Sequence, residues 1–182
     1  IRAALPPGGL FADQHWRIAP EPFRLGPELA REVESLGRVL LQFYRASNLL
    51  YRRSVEGKQP EWIARWLDQG KPAWLIDLQR HPALKHALPR VIRPDLLLTE
   101  GGFAVTELDS VPGGIGLTAW LNRTYSSLPE APAILGGADG MLNGFASIFG
   151  NAPQVHLVVS EESTSYRPEM EWLATQLPGG RF

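Results

Sequence analysis

Cysteine is absent from the 182 residues, and with it go disulfide frameworks, thiol nucleophiles and cysteine-ligated zinc. Lysine is scarce: Lys58, Lys71 and Lys85 are the whole complement, so arginine carries most of the positive charge. An excess of either sign is also missing, since 18 Lys and Arg stand against 19 Asp and Glu for a net charge of −1. Binding to nucleic acid by counterion release normally goes with a basic excess, so no nucleic-acid partner is expected. No apolar run approaches the ~18 residues needed to span a bilayer, and no charged-then-apolar leader opens the chain. A cytoplasmic protein without a membrane partner is therefore the expectation.

What the chain does contain is enough apolar material for a packed core, 44% with six tryptophans. Its 18 glycines and 16 prolines make up nearly a fifth of the residues, against an average of about 12%, which predicts many turns and short elements. The chain opens at Ile1 and stops at Pro178-Gly-Gly-Arg-Phe182, directly after a predicted helix. A boundary of that kind leads us to expect further chain beyond Phe182 in the native protein.

Residues 1–26 read as an extended, turn-rich arm. Gly26-Pro27-Glu28 starts a helix, because proline fits the first helical position and Glu28 and Glu32 suit the positive end of the dipole. Leu29, Val33, Leu36, Leu40 and Phe43 recur at steps of three and four, a stripe that runs on towards Leu50. Pro60-Glu61 opens a second helix closed by Gly70, with Trp62 and Trp66 one turn apart. That pair reads first as helix packing and second as a ligand-stacking platform. A helical turn is predicted over 82–88, a hairpin over 91–109, and helices over about 116–125, 138–149 and 167–177. Val155-His-Leu-Val-Val159 reads as a strand which, with the acidic turn and helix after it, would open a parallel α/β unit.

The stretch that points to chemistry is Val91-Ile-Arg-Pro-Asp-Leu-Leu-Leu-Thr-Glu-Gly-Gly-Phe-Ala-Val-Thr-Glu-Leu-Asp-Ser110. Two apolar-rich runs flank Gly101-Gly102, a hairpin signal, and loop parity decides which side chains share a face. A three-residue loop pairs Thr99 with Phe103, Leu97 with Val105, Asp95 with Glu107 and Arg93 with Asp109. Opposed carboxylates about 5 Å apart repel unless a cation or proton lies between them. A hard cation such as Mg²⁺ takes carboxylate oxygens, usually one or two together with phosphates. Arg93 would neutralise part of the cluster or hold a phosphate or carboxylate bidentately. A two-residue loop would instead put Asp95 and Glu107 on opposite faces, leaving a solvated hairpin end. Pro94, which lacks a ladder donor, argues for an edge or unpaired position.

Arg93-x-Asp95, a short glycine turn, Glu107-x-Asp109 and then Pro112-Gly-Gly114 resemble the circularly permuted ATP-grasp proteins related to glutathionylspermidine synthase. The likeness is sharp over about 91–117. It implies that Asp95, Glu107 and Asp109 ligate Mg²⁺ at the phosphates of ATP, and that Arg93 contacts the transferred phosphate or an acyl-phosphate intermediate. It also implies a carboxylate–amine ligase, with small-molecule or peptide carboxylates and amines as substrates. Asp109 stands where Asn is usual in that family. The lysines expected to grip the nucleotide are not recognisable, since all three lysines lie upstream of the hairpin. The expected fold is α/β in the broad α+β sense: helices and the metal hairpin over 1–130, then over 131–182 the start of a small α/β domain like that of such ligases. The alternative in a different class is a non-catalytic ligand- or protein-binding module on a degenerate scaffold of the same kind.

Gly113 and Gly114 stand before a helix, where backbone N–H groups can cradle a phosphate, although a plain strand-to-helix turn needs the same glycines. The segment lacks the Gly-Lys-Ser/Thr ending of a P-loop. His81 and His86 are five residues apart, about 140° around a helix, so they form no one-face metal pair. His15 and His156 are isolated. Tyr51-Arg52-Arg53 reads first as a solvated helix end and second as an anion site.

Overall fold

The computed structural model describes residues 17–177 and residue 179. The predicted arm over 1–26 and His15 thus lie largely outside the described residues. Among the described residues the fold is α+β: six α-helices and a two-stranded antiparallel sheet. Two compact units form, one from residues 27–110 and one from 17–26 with 111–177. The division falls at Ser110/Val111, and the helix that follows the Pro-Gly-Gly turn packs with the C-terminal helices. None of the helices among the described residues is long and apolar enough to cross a membrane.

In the 27–110 unit, α1 (Pro27–Val55) starts at the predicted proline and ends on Arg52 and Arg53. Its inward face runs through Leu29, Val33, Leu36 and Leu40, then turns to Tyr44, Ser47, Tyr51 and Ser54. Phe43 and Leu50, expected on that stripe, are 55% and 42% exposed. A period of 3.6 carries the buried face to residues 44, 47, 51 and 54, which are polar and escape an apolar pattern. The hydroxyls of Tyr44, Tyr51 and Ser54 take part in the packing. The buried Ser54 Oγ donates to Pro60 O at 2.6 Å and accepts the Ala64 N–H at 3.1 Å, which docks α2 (Glu61–Asp68) against α1. Ala64 is the inward residue of α2, so Trp62 and Trp66, about 200° away, point outward at 57% and 67% exposed. The helix-packing reading of that pair is therefore corrected.

A third helix, α3 (Ala73–Arg80), follows Pro72 and was not expected from the pattern. It is tied in by polar contacts instead of an apolar stripe. Asp68 accepts from Tyr51 Oη (2.8 Å), Gln79 Nε2 (2.6 Å) and Arg80 Nη2 (2.5 Å), joining α1, α2 and α3. The Tyr51 hydroxyl and Asp68 both hold Arg80 firmly in its charged form, raising its pKa above the usual arginine value. A 3₁₀ turn at Pro82–Leu84 fulfils the helical turn expected there, and His81 Nδ1 accepts the Ala83 N–H at its start.

The hairpin consists of β1 (Arg93–Thr99) and β2 (Gly102–Asp109). It lies beside α1. Its tip lies at Glu32, whose Oε2 would stand 3.4 Å from a Cβ added at Gly102, and its base lies at Tyr44, whose hydroxyl is 3.4 Å from Ser110 Oγ.

In the second unit, α4 (Ile115–Ser126) packs against both α5 (Gly140–Ser147) and α6 (Arg167–Gln176). The core comprises Ile115, Ala119, Trp120, Leu142, Phe145, Met170 and the fully buried Leu173. Arg123 links all three helices by donating to Asp139 Oδ1 (2.6 Å) and Gln176 Oε1 (2.5 Å). Tyr125 Oη donates to Ala19 O at 2.8 Å and pins the segment before α1. Residues 155–159 form no strand; Val155 is buried, while Val158 is 89% exposed. A β-branched run becomes a strand only with a ladder partner, and the sheet of the described residues is the two-stranded hairpin alone. The expected parallel α/β unit is replaced by an extended segment, a 3₁₀ turn (Glu161–Tyr166) and α6.

Candidate functional site

The turn joining β1 and β2 contains two residues, Glu100 and Gly101, so Thr99 pairs with Gly102 and not with Phe103. Carried down the ladder, that register pairs Leu98 with Phe103, Leu97 with Ala104 and Leu96 with Val105. Unbroken, it would set Asp95 against Thr106. The register shifts at this point: Thr106 is left over, Asp95 pairs with Glu107, Pro94 with Leu108 and Arg93 with Asp109. This is a β-bulge, one extra residue on one strand. Thr106 Oγ1 donates to the Asp95 carbonyl at 3.2 Å, which ties the bulged residue to the strand it fails to pair with. The expected pairing of the charged end thus arises by a different route, a shorter turn with a compensating bulge.

Pro94, Leu96 and Leu108 share the half-buried face, and Arg93, Asp95, Glu107 and Asp109 share the other. Asp95 and Glu107 are exposed, and neither carboxylate is bonded to a cation among the described residues. One rung away, Arg93 Nη1 donates to Asp109 Oδ2 at 3.2 Å, with both side chains 37% exposed. At that exposure the pair is worth at most about 1 kcal/mol, and it acts chiefly to hold the guanidinium in place.

The donor set fits a hard divalent cation in part. Asp95 and Glu107 supply two opposed oxygen ligands, the number Mg²⁺ takes when phosphates complete its shell. Asp109 is engaged by Arg93, and no group of three carboxylates or imidazoles converges to hold a metal among the described residues.

Gly113 and Gly114 belong to the second unit. The Gly114 N–H donates to Glu169 Oε1 at 2.6 Å and the Leu117 N–H to Glu169 Oε2 at 2.8 Å. A carboxylate from α6 therefore occupies the amide cradle that a phosphate would use at the start of α4. The glycines have packing roles. A Cβ on Gly113 would lie 2.8 Å from the Tyr166 ring, and one on Gly116 would lie 2.5 Å from Glu169 O. Gly114 has φ of 82°, the left-handed region that glycine enters without strain. Sequence reasoning missed Glu169, because nothing local marks a contact across more than fifty residues.

It also missed a basic cleft in the 27–110 unit, lined by Arg45, Arg52, Lys85 and His86. Arg52, Lys85 and His86 each stand out in the sequence separately, and nothing local joins them, although residues 45, 48, 49 and 52 recur at the spacing of one helix face. His156 is exposed. The chain matches no family model, no curated protein and no solved structure.

Proposed function

We propose that the hairpin holds Mg²⁺–ATP in an ATP-dependent carboxylate–amine ligase. The observation that supports this most is the rung Asp95–Glu107: two exposed carboxylates on paired residues, with no cation bonded to either among the described residues. Facing like charges destabilise a hairpin, so the arrangement calls for a cation from outside the chain. Asp95 and Glu107 would be the metal's protein ligands, and Arg93, steadied by Asp109, would hold an oxygen of the transferred phosphate. Bound Mg²⁺ supplies neutralisation of phosphate charge. The protein's own part is positioning, since the strands fix where the carboxylates and the guanidinium stand.

The experiment is phosphate release from ATP by the full-length native protein, with Mg²⁺, a panel of peptide carboxylates and a polyamine. The reading predicts amine-dependent turnover that falls by roughly a hundredfold or more in both Asp95→Asn and Glu107→Gln. Turnover that survives both substitutions removes the hairpin from the chemistry.

A second reading, a non-catalytic module holding a peptide or protein, draws on Trp62, Trp66 and Trp74, which are 57%, 67% and 67% exposed. It predicts no ATP turnover, together with ligand-dependent change in tryptophan fluorescence.

A further inference from the structure

We infer that the cleft between the C-terminal half of α1 and residues 85–88 binds a small organic molecule bearing a multiply charged phosphate group. The cleft has a volume of about 460 Å³, enough for a small-molecule ligand. Arg45 and Arg52 from α1 meet Lys85 and His86 there, and among the described residues no carboxylate lines it. A chain of net charge −1 has therefore gathered three permanent positive charges in one cavity. Leu49 and Leu88 complete the lining and provide an apolar surface for the body of a ligand.

The cleft is held in shape by groups that leave its charges available. Arg52 is anchored by donating from Nε to Asn48 Oδ1 (3.2 Å), from Nη2 to Gln79 O (3.0 Å) and from Nη1 to Arg80 O (3.5 Å), neutral acceptors that leave its charge uncompensated. Asn48 in turn donates to Lys85 O at 2.9 Å, which fixes the backbone beneath the lysine. Among the described residues, neither the Arg45 guanidinium nor the Lys85 ammonium has an ion-pair partner. An adjoining depression of about 290 Å³ shares Arg52 and Lys85 and adds Arg53 and Lys58. Its one carboxylate, Glu56, is bonded to Lys58 Nζ at 2.7 Å. The Glu56 carboxyl titrates below its ordinary value, through Lys58 first, with Lys85 and Arg53 adding to the effect. The positive field of this face thus reaches a neighbouring group.

Charge balance selects phosphate. A monocarboxylate would leave two of the three permanent charges uncompensated, whereas a phosphomonoester carries about −1.5 to −2 and a diphosphate more. The guanidinium fork also matches phosphate oxygens bidentately. The inference does not rest on the ligase reading, and it fails or stands separately from the hairpin.

The test is a titration of the full chain with inorganic pyrophosphate in EDTA, which keeps metal-bridged binding at the hairpin out of the measurement. Calorimetry and amide shifts are the readouts, with citrate and acetate as comparators. Saturable pyrophosphate binding is expected, with shifts at Asn48, Leu49, Lys85 and Leu88. Arg45→Gln/Lys85→Gln should weaken it roughly tenfold or more, since each charge-assisted hydrogen bond contributes on that scale. Arg31→Gln/Arg38→Gln, which removes two charges from another part of α1, should leave it within about twofold. Absence of saturation, or equal loss in both double variants, overturns the site. Citrate binding more tightly than pyrophosphate overturns the phosphate assignment.

Discussion

Asp95 faces Glu107 because Thr106 is bulged out of the ladder beside them. The two-residue turn at Glu100-Gly101 would by itself send Glu107 to the other face with Pro94, and the extra residue restores the alignment. The charged end of the hairpin therefore depends on two irregularities that cancel, and each can be altered separately.

Deletion of Thr106 should leave a regular ladder with unchanged partners: Leu96–Val105, Asp95–Glu107 and Arg93–Asp109. Cross-strand nuclear Overhauser effects between these pairs check this. A shift that pairs Asp95 with Leu108 would show that the bulge does not set the register.

Why the hairpin end was legible while much else was not follows from where the information lies. Pro27, Pro60 and the Pro-Gly-Gly turn are local signals, and α1, α2 and α4 begin where they predict. The pairing of Asp95 with Glu107 was reached through a loop length that is not the observed one. A bulge leaves no mark in composition, so parity alone could not distinguish the two routes. An apolar pattern follows the inward face of α1 as far as Leu40 and loses it beyond, where Tyr44, Tyr51 and Ser54 hydrogen-bond through their hydroxyls. The 155–159 run carried β propensity without a partner strand, and propensity alone forms no sheet.

Glu169 joins α6 to the start of α4 by accepting from the Gly114 and Leu117 amides, and it is only 6% exposed. Glu169→Ala should cost about 3 kcal/mol in urea unfolding, because it removes two charge-assisted bonds and leaves two helix N–H groups unpaired. Glu169→Gln, which keeps one acceptor, should cost about half as much. Gly116→Ala should cost about 1–3 kcal/mol through contact with the Glu169 backbone, despite alanine's better helix propensity. Gly113→Ala should cost less, since it meets the side chain of Tyr166, 40% exposed, and not backbone. Loss of under 0.5 kcal/mol in Glu169→Ala would contradict this account of the α4–α6 junction.

Glu56 reports the field of the basic face. Its carboxyl lies below the ordinary value of 4.5 because Lys58 hydrogen-bonds it and attracts its charge, with smaller contributions from Lys85 and Arg53. A carboxyl depressed on folding favours the folded state above its unfolded value, and that contribution is lost as pH falls through the folded value. Carboxyl-carbon titration by NMR should show the depressed value. Lys58→Ala should raise it most, and Lys85→Gln and Arg53→Gln should each raise it less. A Lys85→Gln effect equal to that of Lys58→Ala, or no depression at all, would contradict this ordering.

The most direct test of the hairpin as a metal site is paramagnetic broadening of the full chain's amide signals by Mn²⁺ in the presence of ATP. Mn²⁺ takes the same oxygen ligands as Mg²⁺. The account predicts broadening centred on Asp95 and Glu107 at low Mn²⁺, displaced by excess Mg²⁺ and weakened roughly tenfold or more in Asp95→Asn/Glu107→Gln. Broadening that is absent from the hairpin, or that persists unchanged in the double variant, would contradict it.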